Sequence, residues 1–316
     1  MTNIEYAIGV DIGGTKIASA LINRKGTVFA SDYRMTVVEM GKTEMINRIL
    51  TSIHNVMLKG HDIKGIGIDI PGSVDPKQGI VENAVNLGWD RVELRAELQQ
   101  ALGTKLPIYL QRDTYAQTLS EFYYGSAKNQ KDYVFISIGS GLGAGAMVDG
   151  RLLQGSDRAA LEIGHKSLPG LKTVCGCGKT GCVETILSGP GMIRTFKNMD
   201  WNSQITSDFA LTDDLTVQDI LNGYSSGDKR ARILLLEVSR FLAEIISSVI
   251  TVLNPTLVII GGGTGLAIYD YIIAEVREEI KQITWKENYR NLTIEKSCLD
   301  SSALGAASLV WYGLNN

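Results

Sequence analysis

The chain has 316 residues, of which 44% are hydrophobic and 21% are charged, and its formal net charge at pH 7 is −3. A chain of this length can form two domains, each with its own core. A slightly acidic chain is a poor candidate for a nucleic-acid binder, because phosphate binding needs a basic surface. The N-terminus lacks a signal-peptide pattern, and the longest apolar-rich stretch, Leu242–Leu253, is too short to cross a bilayer. We therefore expect a cytoplasmic protein with no membrane partner.

The first part of the chain predicts a β-meander followed by alternating helices and strands. Two apolar strands within Tyr6–Ile22 flank a tight turn, and a third strand follows at Thr27–Arg34. Apolar residues at helical spacing predict a helix at Lys42–Leu58. The next predicted elements are a strand, a helix, a strand and a helix, at Ile63–Ile70, Val92–Leu102, Leu106–Gln111 and Asp113–Tyr124.

The same order of elements then begins again. Two strands, Tyr133–Gly139 and Ala144–Asp149, flank a glycine-rich turn, and a second turn leads to Leu152 and Leu153. The repeated βββαβα order predicts two similar α/β domains around a cleft. We expect a smaller N-terminal domain of residues 1–117 with 298–316 and a larger one of residues 118–297. Later predicted elements are Asp228–Leu253, Leu257–Ile260, Ile268–Ile283, Leu292–Lys296 and Ser302–Tyr312.

One histidine and three cysteines lie close together in the second half: His165, Cys175, Cys177 and Cys182. Zn²⁺ prefers four such ligands in a tetrahedron, and glycines between the cysteines let the backbone fold tightly. A disulfide is the alternative, but Cys175 and Cys177 are too close to pair comfortably, and nothing indicates secretion. The pattern therefore predicts a structural zinc site in the larger domain.

Three glycine-rich segments could bring backbone N–H groups close to phosphate oxygens. The first is a hairpin at Asp11–Lys16, and Asp11 could hold Mg²⁺ through water. The second, Gly139–Gly143, occupies the matching place in the other half, so the two could face each other across one phosphate chain. Gly261–Gly263 would suit the adenosine end of a nucleotide, although each segment could also be an ordinary turn. The candidate residues are Asp11, Gly13, Gly14, Thr15, Lys16, Gly139, Ser140, Gly141, Gly261, Gly262 and Gly263.

Three acidic residues are candidates for chemistry or substrate binding. Asp113 follows a buried strand, and its carboxylate could accept the proton of an attacking hydroxyl, or it could cap a helix. Glu162 and Glu184 flank the predicted zinc site, where they could bind neighbouring sugar hydroxyls or be solvated surface charges. If His165 binds zinc through one nitrogen, the other could face a substrate hydroxyl or an acid.

Taken together, these segments resemble the ROK family, which contains sugar kinases and sugar-responsive repressors. The resemblance implies an actin/hexokinase-like (ribonuclease H-like) fold and transfer of the γ-phosphate of Mg²⁺–ATP to a hexose, usually to its 6-hydroxyl. Family members are commonly homodimers. The matching segments are Asp11–Lys16, Ile70–Gly72, Asn86–Trp89, Asp113, Gly139–Gly143, Glu162–His165, Cys175–Glu184 and Ile260–Gly263.

The resemblance also implies residue roles, with Asp113 as general base. Arg112 stands where the family usually has an Asn that touches the sugar, and an Arg–Asp pair is similar to the allose kinases of this family. Arg112 could instead form a salt bridge facing away from the sugar, because neighbours on a strand alternate sides. Leu161 stands where the family usually has Gly. The implied substrate-binding residues are Gly72, Asn86, Arg112, Asp113, Glu162, His165 and Glu184, and the implied zinc ligands are His165, Cys175, Cys177 and Cys182.

The expected function is therefore ATP-dependent phosphorylation of an aldohexose of the allose or glucose type. The alternatives are a kinase for fructose or N-acetylmannosamine and a catalytically weak sugar sensor. The sensor remains an alternative because Arg112 and Tyr115 depart from the residues usual in the family. A repressor is less expected, because the first hairpin begins within a dozen residues and leaves no room for a preceding helix-turn-helix.

Overall fold

The computed structural model describes residues 4–128, 130–198, 214–299 and 301–315. The chain divides into two compact units, which are Met1–Lys131 with Gly150–Arg158 and Cys298–Asn316, and Asp132–Asp149 with Ala159–Ser297. The division therefore lies beyond the expected boundary after residue 117, and the segment 150–158 belongs to the first unit.

The described secondary structure contains the predicted elements in their predicted order, with two shifted helix starts. It also contains six strands and helices that the sequence did not predict, at Ser73–Asp75, Ile80–Asn83, Glu184–Leu187, Gly189–Asn198, Val217–Ser225 and Lys286–Tyr289. The helix predicted from Val92 begins at Leu94, and the one predicted from Ile268 begins at Gly263. The strands are β1 (Glu5–Ile12), β2 (Lys16–Asn23), β3 (Val28–Met35), β4 (Asp62–Ile70), β5 (Ser73–Asp75), β6 (Ile80–Asn83), β7 (Ile108–Arg112), β8 (Tyr133–Ile138), β9 (Leu142–Val148), β10 (Arg151–Leu152), β11 (Leu257–Gly261) and β12 (Thr293–Lys296). The helices are α1 (Gly41–Val56), α2 (Leu94–Leu102), α3 (Asp113–Tyr123), α4 (Glu184–Leu187), α5 (Gly189–Asn198), α6 (Val217–Ser225), α7 (Lys229–Leu253), α8 (Gly263–Ile283), α9 (Lys286–Tyr289) and α10 (Ser302–Asn315), with 3₁₀ turns at Val38–Met40, Val85–Leu87 and Ile163–His165.

The first unit is built on a sheet in the order β3-β2-β1-β4-β7. β1 pairs antiparallel with β2 and parallel with β4, and β4 pairs parallel with β7. Side chains alternate along the central strands, so that Ile8, Val10, Ile66 and Ile68 lie on one face and join the apolar core. The opposite face of β1 and β4 carries small residues and, at the end of each strand, an aspartate.

Helix α10 covers this small-residue face. A Cβ atom on Gly9 would overlap the carbonyl oxygen of Ala303, and one on Gly67 would overlap that of Ala306. Glycine is therefore required at both positions, because the backbone of α10 lies so close to the sheet that a Cβ atom would overlap it. The chain end thus returns to the first unit, as the sequence predicts.

The second unit repeats this plan. Its sheet contains β9, β8, β11 and β12 side by side in that order. β8 pairs antiparallel with β9 and parallel with β11, and β11 pairs parallel with β12. These strands correspond to β1, β2, β4 and β7 of the first unit, where β1 pairs antiparallel with β2 and parallel with β4, and β4 pairs parallel with β7. Among the described residues, none of the helices combines the length and apolar character needed to span a membrane.

Candidate functional site

The first unit gathers three aspartates at the carboxyl ends of adjacent parallel strands. Asp11 is directly paired with Asp69 across β1 and β4, and Asp69 with Gln111 across β4 and β7. Asp113 comes two residues later, as the first residue of α3. Asp11, Asp69 and Gln111 are on the sheet face covered by α10, because each lies an even number of residues from the small residues of that face. We call Asp11, Asp69 and Asp113 the acidic cluster.

Asp69 is the member of the acidic cluster that our sequence interpretation missed. Its side chain is fully buried. Burial raises the pKa of Asp69 well above its ordinary range, and the nearby charges of Asp11 and Asp113 raise it further. A detectable signal existed, because Ala7-x-Gly9-x-Asp11 and Gly65-x-Gly67-x-Asp69 place the same pattern of small residues and Asp on two neighbouring strands.

Asp113 lies within the first turn of α3, and Arg112 occupies the N-cap position. The alternative in which Asp113 is the N-cap residue is therefore wrong. Its Oδ1 accepts a hydrogen bond from the backbone N–H of Thr114 at 2.7 Å. A carboxylate in the first turn is favoured as an anion by the helix dipole, and the side chain is only partly buried. Asp113 is thus a partly exposed carboxylate at the start of α3.

The first glycine-rich hairpin lies beside the acidic cluster, between β1 and β2. The N–H of Gly13 donates to Lys16 O at 2.8 Å, and Thr36 holds the turn through Oγ1 to Gly13 O at 2.6 Å and N–H to Thr15 O at 3.0 Å. Asn86 packs against it, because a Cβ on Gly14 would lie 3.4 Å from Asn86 O. Gly14 and Thr15 are exposed. The predicted phosphate-binding turn and the predicted sugar-binding Asn86 are therefore neighbours.

Arg112 contacts the segment 154–158 of the same unit. Its Nη1 donates to Arg158 O at 3.3 Å, and its guanidinium lies 5.0 Å from the centre of the Tyr115 ring. Tyr115 Oη in turn donates to Gln154 O at 3.4 Å. Arg158 forms an ion pair with the buried Asp75 at 3.1 Å. The residue before the candidate base therefore helps to fix a loop, a contact that neither of the two sequence-based alternatives includes. Gly72 lies in the turn between β4 and β5.

In the second unit, the two remaining glycine-rich segments lie against each other. The N–H of Gly139 donates to Gly141 O at 2.9 Å, which closes the turn around Ser140. Gly139 O accepts from Thr264 Oγ1 at 3.4 Å, and Thr264 directly follows Gly261–Gly263. Gly262 has φ 76°, and a Cβ there would overlap Ile138 O. Ser140 and Gly263 are exposed, so both segments offer backbone donors at the start of helix α8.

The predicted zinc ligands also come together. One ligand atom from each of His165, Cys175, Cys177 and Cys182 lies within 4.8 Å of all the others. Cys175 Sγ is 3.8 Å from His165 Nδ1, and Cys177 Sγ is 3.6 Å from Cys182 Sγ. Sulfur ligands of a tetrahedral zinc ion are about 3.8 Å apart, so this cysteine–histidine cluster fits the ion in number, type and spacing.

The thiols of the cluster differ in their electrostatics. Burial raises the pKa of Cys182 to about 12 and also raises that of Cys175. The backbone N–H of Lys179 lowers the pKa of Cys177, which is exposed. A metal ion would therefore have to displace protons from two buried thiols, which makes its binding dependent on pH.

Glu162 and Glu184 border the cluster in different ways. Glu184 begins α4, and its Oε2 accepts the N–H of Leu142 at 2.9 Å. Glu162 occupies the position before the 3₁₀ turn that ends at His165. The preceding Leu161 has φ 62°, in the left-handed region where a branched side chain is strained. This strain explains why glycine would be favoured at position 161.

Comparison with known proteins places these sites in a family context. The model of the ROK family matches residues 7–312. A glucokinase of Thermotoga maritima is 30% identical over 309 residues, covering 96% of each chain. A xylose repressor of Caldicellulosiruptor bescii is 29% identical over 313 residues, covering 96% of this chain and 77% of the repressor. Kinases and repressors are thus similar to it at nearly equal identity.

Solved structures establish the same fold. A ROK hexokinase from Thermus thermophilus superimposes with a TM-score of 0.81 at 24% identity, covering 98% of this chain and 99% of the other. A ROK family glucokinase from Streptomyces griseus, in complex with glucose and AMPPNP, gives 0.78 at 24% identity, covering 98% and 100%. With its duplicated βββαβα units and the family match over nearly its whole length, the chain belongs to the ROK family and has the actin/hexokinase-like fold.

Proposed function

We propose that this protein is an ATP-dependent hexose kinase that transfers the γ-phosphate to the 6-hydroxyl of an aldohexose of the allose or glucose type. Asp113 is the general base that accepts the proton of that hydroxyl. The observation that carries the proposal is the acidic cluster itself, with Asp113 at the start of α3 and Asp11 beside an exposed glycine turn. A glucokinase relative aligned over 96% of both chains supports it.

The acidic cluster suits a divalent cation. Burial raises the pKa of Asp69, the nearby charges of Asp11 and Asp113 raise it further, and a cation nearby would relieve the repulsion among the three carboxyl groups. Asp11 is the residue that would hold Mg²⁺, through water, since its side chain lies at the strand end next to Gly13. Bound Mg²⁺ would neutralise charge on the phosphates.

The remaining roles follow from where each residue lies. Gly13–Thr15 in the first unit and Gly139–Gly141 in the second offer backbone N–H groups to phosphates, and Gly261–Gly263 borders the nucleotide. Asn86, beside Gly14, is a sugar ligand, and the rest of the proposed sugar-binding set is Gly72, Arg112, Asp113, Glu162, His165 and Glu184. Zinc in the cysteine–histidine cluster has a structural role, since all four ligands come from the protein.

The test is an ADP-release assay with Mg²⁺–ATP against allose, glucose, mannose, fructose, N-acetylmannosamine and N-acetylglucosamine. We expect turnover of allose or glucose. Preference for allose would support a role of Arg112 in recognising the sugar at C3, either directly or through the 154–158 loop. Turnover of fructose or N-acetylmannosamine alone would replace the proposed substrate. Absence of turnover, with hexose binding retained in calorimetry, would overturn the kinase proposal in favour of a sugar sensor.

A further inference from the structure

The segment 154–158 contacts residues that lie on both sides of Asp113 in the sequence. Arg112, the residue before Asp113, donates from Nη1 to Arg158 O at 3.3 Å. Tyr115, two residues after Asp113, is fully buried, and its hydroxyl also reaches Arg158 O, at 3.5 Å. The carbonyl of Arg158 therefore accepts from a side chain at the end of β7 and from one in the first turn of α3.

The backbone of Arg158 is strained. Its φ is 57°, in the left-handed region that residues with a side chain rarely adopt. A strained backbone persists only where its surroundings hold it, and such residues are frequent at functional sites. The carbonyl that meets Arg112 and Tyr115 belongs to this strained residue, so relaxation of the backbone at position 158 would displace it from both side chains.

The side chain of Arg158 supplies a strong contact that holds this conformation. Its Nη2 lies 3.1 Å from Asp75 Oδ2, and the Asp75 side chain is only 6% exposed. The other carboxylate oxygen, Oδ1, accepts the backbone N–H groups of Lys77 at 2.9 Å and Gln78 at 3.0 Å, so Asp75 is itself fixed. A charge-assisted hydrogen bond to a buried and immobilised carboxylate is stronger than one between neutral groups.

Asp75 is an anion at neutral pH. The hydrogen bond from the Gln78 N–H lowers the pKa of Asp75, and the Lys77 N–H and the charge of Arg158 lower it further. The ion pair with Arg158 is therefore present under the conditions in which the protein would bind a sugar.

We propose that Arg158 is a positioning residue: its ion pair with Asp75 holds the strained backbone at position 158, and the carbonyl of Arg158 holds the Arg112 guanidinium for recognition of the hexose. This inference rests on the proposed function, in which Arg112 is a sugar ligand. It adds Asp75 and Arg158, which lie outside the proposed sugar-binding set, and both act through Arg112.

The test compares the full-length wild-type protein with Arg158→Gly and Arg158→Lys. Calorimetry with the hexose that binds most tightly measures affinity without depending on turnover. Glycine adopts a φ of 57° without strain, so Arg158→Gly should stay folded but lose the side chain that holds the backbone. We expect its hexose Kd to rise by about tenfold, with the KM for Mg²⁺–ATP unchanged. Arg158→Lys keeps the charge and should retain part of the affinity.

The matched control is Arg24→Gly. Arg24 lies in an exposed turn of the same unit and forms an ion pair with Glu5, which is also solvent-accessible. Loss of an exposed ion pair has a small effect, so this variant should bind hexose as the wild type does.

A double-mutant cycle with Arg112→Ala decides how Arg158 acts. In the Arg112→Ala protein, Arg158→Gly should weaken hexose binding little further, because its effect passes through Arg112. An equal loss in both backgrounds, or unchanged hexose affinity in Arg158→Gly alone, would overturn this inference. A wild-type protein that binds hexose but turns none over would instead overturn the kinase proposal, while the affinity cycle would still decide the role of Arg158.

Discussion

The two units share a strand order but differ in what stands at their strand ends. In the first unit, β1 and β4 carry Asp11 and Asp69 at their carboxyl ends, and Asp113 follows β7. In the second unit, the corresponding β8 ends at Ile138 and β11 at Gly261. The strand ends of one copy thus carry carboxylates, whereas the matching strand ends of the other carry an apolar residue and a glycine. The comparison teaches that two copies of one strand plan can present different chemical groups at the same place in the sheet.

The largest expected effect comes from the acidic cluster. Replacing Asp113 by Asn should lower kcat by roughly 10²–10⁴-fold with little change in hexose affinity, because the amide keeps the shape but cannot accept the proton. Steady-state kinetics and calorimetry with the preferred hexose would measure this. Near-normal turnover would remove Asp113 as the base and with it the functional contrast between the units.

The second prediction concerns the metal cluster of the second unit. Purified wild-type protein should contain about one zinc ion per chain, and Cys177→Ser should lose most of it, because three ligands hold zinc more weakly than four. Elemental analysis would measure the metal, with Cys298→Ser as the control, since Cys298 is exposed and outside the cluster. Equal zinc in both variants would contradict a four-ligand site.

A third prediction uses the buried Asp69. Its pKa is raised above the ordinary 3.8 in the folded state, so the folded chain keeps a proton that the unfolded chain releases. Stability from this group is therefore present below pH 3.8 and is lost as the pH rises toward the folded pKa, by up to about 1.4 kcal/mol per pH unit. Asp69→Asn should lack this slope and become the more stable protein near neutral pH.

Urea unfolding without Mg²⁺, from about pH 5 to about pH 8, would measure the difference between the two proteins for Asp69. A difference that does not grow with pH would show that Asp69 ionises normally and that the acids of the first unit are less crowded than the geometry indicates.

The smallest expected effect is at Leu161. Glycine there would remove left-handed backbone strain of about 1 kcal/mol. It would also increase the conformational entropy of the unfolded chain, which lowers the free energy of unfolding by about 0.5–1 kcal/mol. Both substitutions remove the partly buried leucine side chain, but only glycine relieves the strain, so Leu161→Gly should be at least as stable as Leu161→Ala. Thermal unfolding of the two variants would measure this, and a higher melting temperature for Leu161→Ala would contradict the strain.

Sequence reasoning predicted the strand and helix order well, because each long element carries a clear apolar period. It placed the start of α8 at Ile268, since Gly263-Thr264-Gly265 is typical of a turn, whereas packing of Gly265 against Ile138 makes that segment the first turn of the helix. It also missed α4 and α9, which have four residues each and are too short to show a period, and the elements β5, β6, α5 and α6.

The candidate site was predictable from the sequence only where the residue types and their spacing indicate a particular chemistry. The cysteine–histidine cluster was predicted in full, because its ligands are close in sequence and chemically distinctive. The pairing of Asp69 with Asp11 depends on strand register. The hydrogen bond from the Leu142 N–H to Glu184 joins residues that are 42 positions apart. The repeated pattern of small residues and Asp marks Asp11 and Asp69 on their own strands, but no local pattern shows that the two are paired or that residue 142 contacts residue 184.

The fit of α10 against Gly9 and Gly67 has a consequence for synthesis on the ribosome. Most of the first unit precedes the second unit in the chain, but α10, which covers one face of its sheet, follows all of the second unit. Ala7 and Ala20 therefore stay uncovered while the chain is being made. We expect the second unit to become protease-resistant first during translation, and the first unit only once α10 has left the ribosome.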